Sequence, residues 1–142
     1  MKNIPTPPYQ IIGIDHVVIR ALQADVLIAF YRDAIGCEVI WDRPDIGLTH
    51  LKSGNAIIDI MSMNGPMGKE GVCRKDAYGR NMDHLCISIS PFNFESLQQH
   101  FSGLGVTIQH PVERFGAAGL SFSVYLQDPE GNGIELKASG AK

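Results

Sequence analysis

Two short stretches carry residues able to do chemistry, and they carry them in the same order. IDHVVI at 14–19 and MDHLCI at 82–87 each place an aspartate and then a histidine ahead of apolar, strand-forming residues. Two further stretches end on a carboxylate: GNAIIDI at 54–60 presents Asp59, and GNGIELK at 131–137 presents Glu135. Side chains alternate across a strand, so parity assigns each residue to a face. His16 falls with Val18 and Arg20; His84 falls with Met82, Cys86 and Ser88, opposite Asp83, Leu85, Ile87 and Ile89. Asp59 falls with Ile57, Met61 and Met63, and Glu135 with Gly133 and Lys137. If the histidine strand lies beside the carboxylate strand in each half, the pair converges. Taken singly, a histidine in a strand is an ordinary core or edge residue, and the duplication is what singles these out. Burying carboxylates costs several kcal/mol each, and a lone imidazole compensates poorly. A divalent cation compensates well, with on the order of 10 kcal/mol at a well-formed site. His16, Asp59, His84 and Glu135 are therefore candidate ligands of one metal ion, Asp59 being the weakest member.

The elements that must position these residues also repeat. Residues 11–20 read as a strand, followed from Leu22 by a helical pattern with Leu27, Phe30, Tyr31 and Ala34 inward and Gly36 at its C-terminus. CEVIWDR, IGLTHLK and NAIIDIMSM read as three short strands separated by turns. The second half repeats the order: MDHLCISIS as a strand, then a helix over 91–105 with Phe94, Leu97, Phe101 and Leu104 inward, then VTIQHPV, SFSVYLQ and GIELKAS as strands. The histidines at 16 and 84 are offset by 68 residues, and the helix-closing glycines at 36 and 105 by 69, so the repeat holds nearly in register. The expected fold is α+β: two βαβββ modules, 11–63 and 82–139, forming one domain with a cupped mixed sheet. Residues 64–81 join them as a linker or a lid, and 113–121 (ERFGAAGLS) is a second candidate lid.

At 142 residues the chain suits one domain. With 44% hydrophobic and 19% charged residues it is neither disordered nor fibrous. A net charge of −3 with scattered basic residues argues against nucleic acid and leaves a small molecule as the expected partner. Three cysteines (Cys37, Cys73, Cys86) without a Cys-x-x-Cys motif make no disulfide framework, which points to a reducing, cytoplasmic setting. Three prolines break the first eight residues where a signal peptide needs an apolar core, and no apolar run reaches membrane-spanning length. Each module makes a half-cup with an open edge, so a homodimer with sites at or near its interface is expected.

The repeated modules, the IDHVVI and MDHLCISI strands, the Phe30-Tyr31 pair before IGCEV and the closing DPEGNGIEL resemble the vicinal oxygen chelate superfamily. That superfamily includes glyoxalase I, the extradiol dioxygenases, methylmalonyl-CoA epimerase and the fosfomycin and bleomycin resistance proteins. The resemblance, closest to glyoxalase I-like members, implies metal ligands at His16, Asp59, His84 and Glu135, with Asp59 one methylene shorter than the usual glutamate and in contact directly, through water or not at all. It implies a substrate-binding arginine at Arg20, four residues after the first ligand, and a second basic position at Arg80. Such a site suits Ni, Co, Mn, Fe or Zn. The chemistry implied is a grip on two adjacent substrate oxygens and stabilisation of an enediolate, with Glu135 as catalytic base.

The leading expectation is a metal-dependent lyase or isomerase of glyoxalase I (lactoylglutathione lyase) type, acting on a substrate such as a glutathione hemithioacetal. If Asp59 does not reach, His16, His84 and Glu135 form the two-histidine, one-carboxylate set of non-haem iron(II) oxygenases, and an extradiol-type dioxygenase follows. A metal-free small-molecule-binding protein like the bleomycin resistance proteins is the rival from another class. Other polar residues read as bland: Cys86 fills space, His50 and His110 lack a partner at ligand spacing, His100 lies solvated on its helix, and Met61 and Met63 line a cavity wall.

Overall fold

The structure, a computed structural model, describes residues 6–70 and 82–139. In chain order it comprises β1 (His16–Ala21), α1 (Ala24–Ala29) continued by a π-helical segment over Phe30–Ile35, β2 (Glu38–Arg43), β3 (Leu48–Ser53) and β4 (Ala56–Ser62). A short α2 (Pro66–Glu70) precedes the second set: β5 (His84–Ile89), α3 (Phe94–Gly103), β6 (Val112–Gly116), β7 (Gly119–Gln127) and β8 (Gly133–Ala138). The strands form two four-stranded sheets, ordered β1-β4-β3-β2 and β5-β8-β7-β6. In each sheet the first strand runs parallel to the last, and the other neighbours are antiparallel. This is the duplicated βαβββ plan, and it sets each histidine strand beside its carboxylate strand.

One hydrophobic cluster joins both modules. Leu27, Tyr31 and Ala34 from the first helix and Phe101 from α3 meet Ile19, Ile58 and Ile60 of one sheet and Val124, Leu126, Ile134 and Leu136 of the other. These strand residues have the parity opposite to His16, Asp59, His84 and Glu135, so the sheet face bearing the candidate ligands is turned away from the helices. The first helix stops at Gly36, whose φ of 91° is the left-handed conformation that a helix C-terminus commonly needs and that glycine adopts without strain. At the start of α3 the Asn93 side chain accepts a hydrogen bond from Ser96 N at 2.9 Å.

The DPEGNG turn ties the modules together. Asp128 accepts from Tyr31 Oη at 2.9 Å, from the backbone N–H of Glu130 and Asn132 at 3.0 and 2.9 Å, and from Asn132 Nδ2 at 2.7 Å. The Glu130 carboxylate accepts from Leu22 N and Gln23 N at 2.8 and 3.2 Å, just ahead of α1. His100 is not simply solvated: its Nε2 donates to Ala34 O at 2.8 Å, across the module boundary.

Several elements differ from the sequence expectation. Residues 11–15 are not strand, and β1 starts at His16. VTIQHPV is not a strand: Gln109 N reaches Tyr125 O, but Pro111 has no N–H to donate, and pairing begins only at Val112. The expected lid at 113–121 is the β6–β7 hairpin, paired from Val112 with Ser123 to Gly116 with Gly119. Leu104 is half exposed at the end of α3 and does not face the core. Part of the expected linker is the α2 helix; residues 71–81, which include Cys73 and Arg80, lie outside the described residues.

Candidate metal centre

Register turns the repeated motifs into geometry. Cys86 stands opposite Glu135 across the β5–β8 ladder and His84 one pleat earlier, opposite Gly133. His84 Nε2 lies 3.0 Å from Glu135 Oε2. The other carboxylate oxygen, Oε1, accepts from Ser123 Oγ at 2.6 Å. Burial pushes the Glu135 carboxyl up, but hydrogen bonds from Ser123 and Tyr125 together with His84 outweigh it, and the group titrates below an ordinary glutamate. His84 is held above the usual histidine value, first by its hydrogen bond to Asp83 and then by Glu135, against a smaller opposing effect of burial. The Cys86 thiol is pushed up to about 11 by burial and by Glu135.

The first module builds a parallel arrangement. Val18 stands opposite Asp59 on the β1–β4 ladder and His16 opposite Ile57. Asp59 is 4% exposed and contributes to raising the His16 pKa, behind the larger effect of Asp15. Directly across the β3–β4 ladder from Asp59 stands His50, whose Nδ1 donates to Asp59 Oδ1 at 2.6 Å. Trp41 stacks on His50 with ring centroids 5.6 Å apart, and Arg43 lies 4.4 Å over the Trp41 ring. Tyr125 holds the same position in the second module, opposite Glu135 and edge-on to His84. Each carboxylate thus has a hydrogen-bonding ring on the antiparallel strand beside it.

His50 was missed by the sequence reading, yet a signal exists. The tight turn at 53–56 fixes the β3–β4 register, and counting back from the Ser53–Ala56 pair places residue 50 opposite residue 59. Asp83 was put on the apolar face by parity; it lies before the first paired residue of β5, so its side chain is free of the pleat and bonds to His84 Nδ1 at 2.7 Å. Arg20 shares the face of His16 as expected, and its Nη2 donates to Gly68 O at 2.8 Å, fastening α2 to the end of the sheet.

The donor chemistry fits a divalent cation. His84 Nε2 and Glu135 Oε2, 3.0 Å apart, are an imidazole nitrogen and a carboxylate oxygen, the donor types that borderline divalent ions take. The structure pairs His84 with Glu135 and sets Asp59 near His16. Among the described residues of one chain, no three His, Cys, Asp or Glu side chains gather closely enough to hold an ion, so the two halves stay separate within a chain. A cavity of about 820 Å³ opens beside His84, lined also by Phe30, Tyr125, Gln127 and Gly133. Another of about 800 Å³, between α1 and the opposite face of the first sheet, touches none of the candidate ligands.

The sequence pattern of the Glyoxalase/Bleomycin resistance protein/Dioxygenase superfamily matches residues 13–136. A virulence protein of Salmonella typhimurium is 28% identical over 127 residues, 87% of this chain and 81% of that protein. Its crystal structure superposes with a TM-score of 0.71 at 25% identity, covering 92% of this chain and 98% of that one. An integron cassette protein from the mobile metagenome of V. cholerae gives 0.71 at 24% identity, covering 93% and 98% of the two chains. A lactoylglutathione lyase from Agrobacterium tumefaciens gives 0.64 at 24% identity, covering 94% and 96%. The two-module fold of this chain is the fold of these proteins.

Proposed function

The chain belongs to the Glyoxalase/Bleomycin resistance protein/Dioxygenase superfamily, and from that premise we propose a metal-dependent lyase or isomerase of glyoxalase I type. Its substrate is a small molecule with two adjacent oxygens, such as a glutathione hemithioacetal. The observation that carries the reading is the 3.0 Å approach of His84 Nε2 to Glu135 Oε2 beside a cavity, with His16 and Asp59 at the matching strand register in the other module. His16, His84 and Glu135, with Asp59, would hold Ni, Co, Mn, Fe or Zn. When bound, such an ion stabilises the negative charge that develops on the two oxygens and acidifies the C–H between them. Glu135 is the proton carrier: Ser123 anchors one of its oxygens, and the other faces His84, which lines the cavity. Arg20, and Arg80 outside the described residues, meet the substrate's anionic end. The Agrobacterium lyase shares the fold and lends this reading its reaction class.

A second copy of the chain completes the site in this reading. β1 and β5 are each the edge strand of their own sheet, and closing the cup around them joins the His16 half of one protomer to the His84 half of its partner. No described helix is long and apolar enough to cross a membrane, and the free Cys37 and Cys86 suit a reducing cytoplasm.

One observation favours a second reading. Asp59 Oδ1 is already taken by His50, and without Asp59 the remaining donors are two imidazoles and one carboxylate, the set of iron(II) oxygenases. The deciding experiment loads the purified protein with each metal in turn and assays a methylglyoxal–thiol hemithioacetal and a catechol. Isomerisation of the first is the expected result. Oxygen uptake with the second would establish the oxygenase, and absence of metal and turnover would leave a binding protein.

A further inference from the structure

The aspartate before each histidine recurs in both modules, and in both it reaches the same ring atom. Asp15 Oδ1 lies 2.6 Å from His16 Nδ1, and Asp83 Oδ2 lies 2.7 Å from His84 Nδ1. Each aspartate is the residue just before its strand, where no pleat forces its side chain to the opposite face. Each backbone is pinned there. Ile57 N donates to Asp15 O at 3.0 Å, and Asp83 O sits so close to Gly133 that a Cβ on that glycine would meet it at 2.6 Å. The side chains themselves are 90% and 95% exposed, so burial in the core does not explain the recurrence.

A carboxylate beside Nδ1 keeps a proton on that nitrogen and turns the Nε2 lone pair outward when the ring is neutral. At His84, Nε2 is the atom that faces Glu135. We infer that Asp15 and Asp83 are positioning residues, which set the tautomer and ring orientation that present Nε2 of His16 and His84 to a divalent cation. The inference rests on the metal reading above. Orienting partners of this kind are worth 10- to 100-fold in metal affinity. His50 and Asp59 repeat the pairing inside the protein, where His50 Nε2 is buried with no hydrogen-bond partner among the described residues.

The test measures Co(II) affinity by competition with a chromophoric chelator for the wild-type protein and for Asp15→Ala, Asp83→Ala, Asp15→Asn and His84→Ala. Each alanine variant of an aspartate should bind about 10- to 100-fold more weakly, Asp15→Asn should fall between Asp15→Ala and wild type, and above the raised histidine values the unfolding midpoints of the metal-free aspartate variants should stay with that of wild type. In the metal-free protein above the histidine pKa, imidazole ¹⁵N NMR should show His16 protonated at Nδ1 and shifted toward the Nε2–H form in Asp15→Ala. Wild-type affinity in both aspartate variants while His84→Ala loses the ion would overturn the positioning role and leave the metal reading standing. A wild-type protein that takes up no Co(II) would overturn both.

Discussion

At the scale of single residues, the His84–Glu135 pair makes stability depend on pH. His84 titrates above 6.5, first because of Asp83 and then Glu135. Its stabilising effect is therefore complete below 6.5 and fades as the pH rises through the raised value. Glu135 titrates below 4.5, burial being outweighed by Ser123, Tyr125 and His84. Its effect is complete above 4.5 and fades as the pH falls through the lowered value. In the metal-free protein the stability difference between wild type and Glu135→Gln should peak between pH 4.5 and 6.5 and shrink on either side, as urea unfolding at a series of pH values can show. A difference that stayed flat from pH 3 to 9 would remove the pair from the folding balance. The sequence disclosed the four candidate ligands through period-two parity, because each lies in a run of apolar neighbours. It did not disclose His50, whose meaning depends on a register set by the adjacent turn, or the bend of Asp83, which lies outside the pleat.

At the scale of elements, the motifs that carry the family resemblance divide their labour. Tyr31 and the DPEGNG turn are a clasp between modules, whereas the strand motifs carry the candidate ligands. Tyr31→Phe removes one hydrogen bond to Asp128 and should cost about 1 kcal/mol, seen as a fall of roughly 3–5 °C in the unfolding midpoint, with metal affinity unchanged. Asn93→Ala removes the N-terminal cap of α3 and should cost about 1 kcal/mol by the same measurement. Strand and helix order was legible because apolar periodicity changes cleanly between elements. VTIQHPV misled because its β-branched alternation imitates a strand that Pro111 prevents from pairing. The β6–β7 hairpin was hidden by GAAG, which reads as a loose loop, while the pairing that stiffens it comes from Val112, Phe115, Leu120 and Ser123 on either side.

At the scale of the whole molecule, the candidate ligands of a single chain fall in two pairs on two sheets, joined through a common core. If a second copy completes each site, His16→Ala and His84→Ala chains, each inactive alone, should recover up to half of the wild-type activity per mixed dimer, since one of its two sites is intact. Pairing within one chain would give no recovery. The central claim is that imidazoles from both modules meet at one cation, and X-ray absorption at the edge of bound Co(II) or Ni(II) tests it most directly. The account predicts two imidazole ligands in the wild-type protein and one in either His16→Ala or His84→Ala at saturating metal. A wild-type spectrum without imidazole scattering, or one that neither substitution changes, would contradict it.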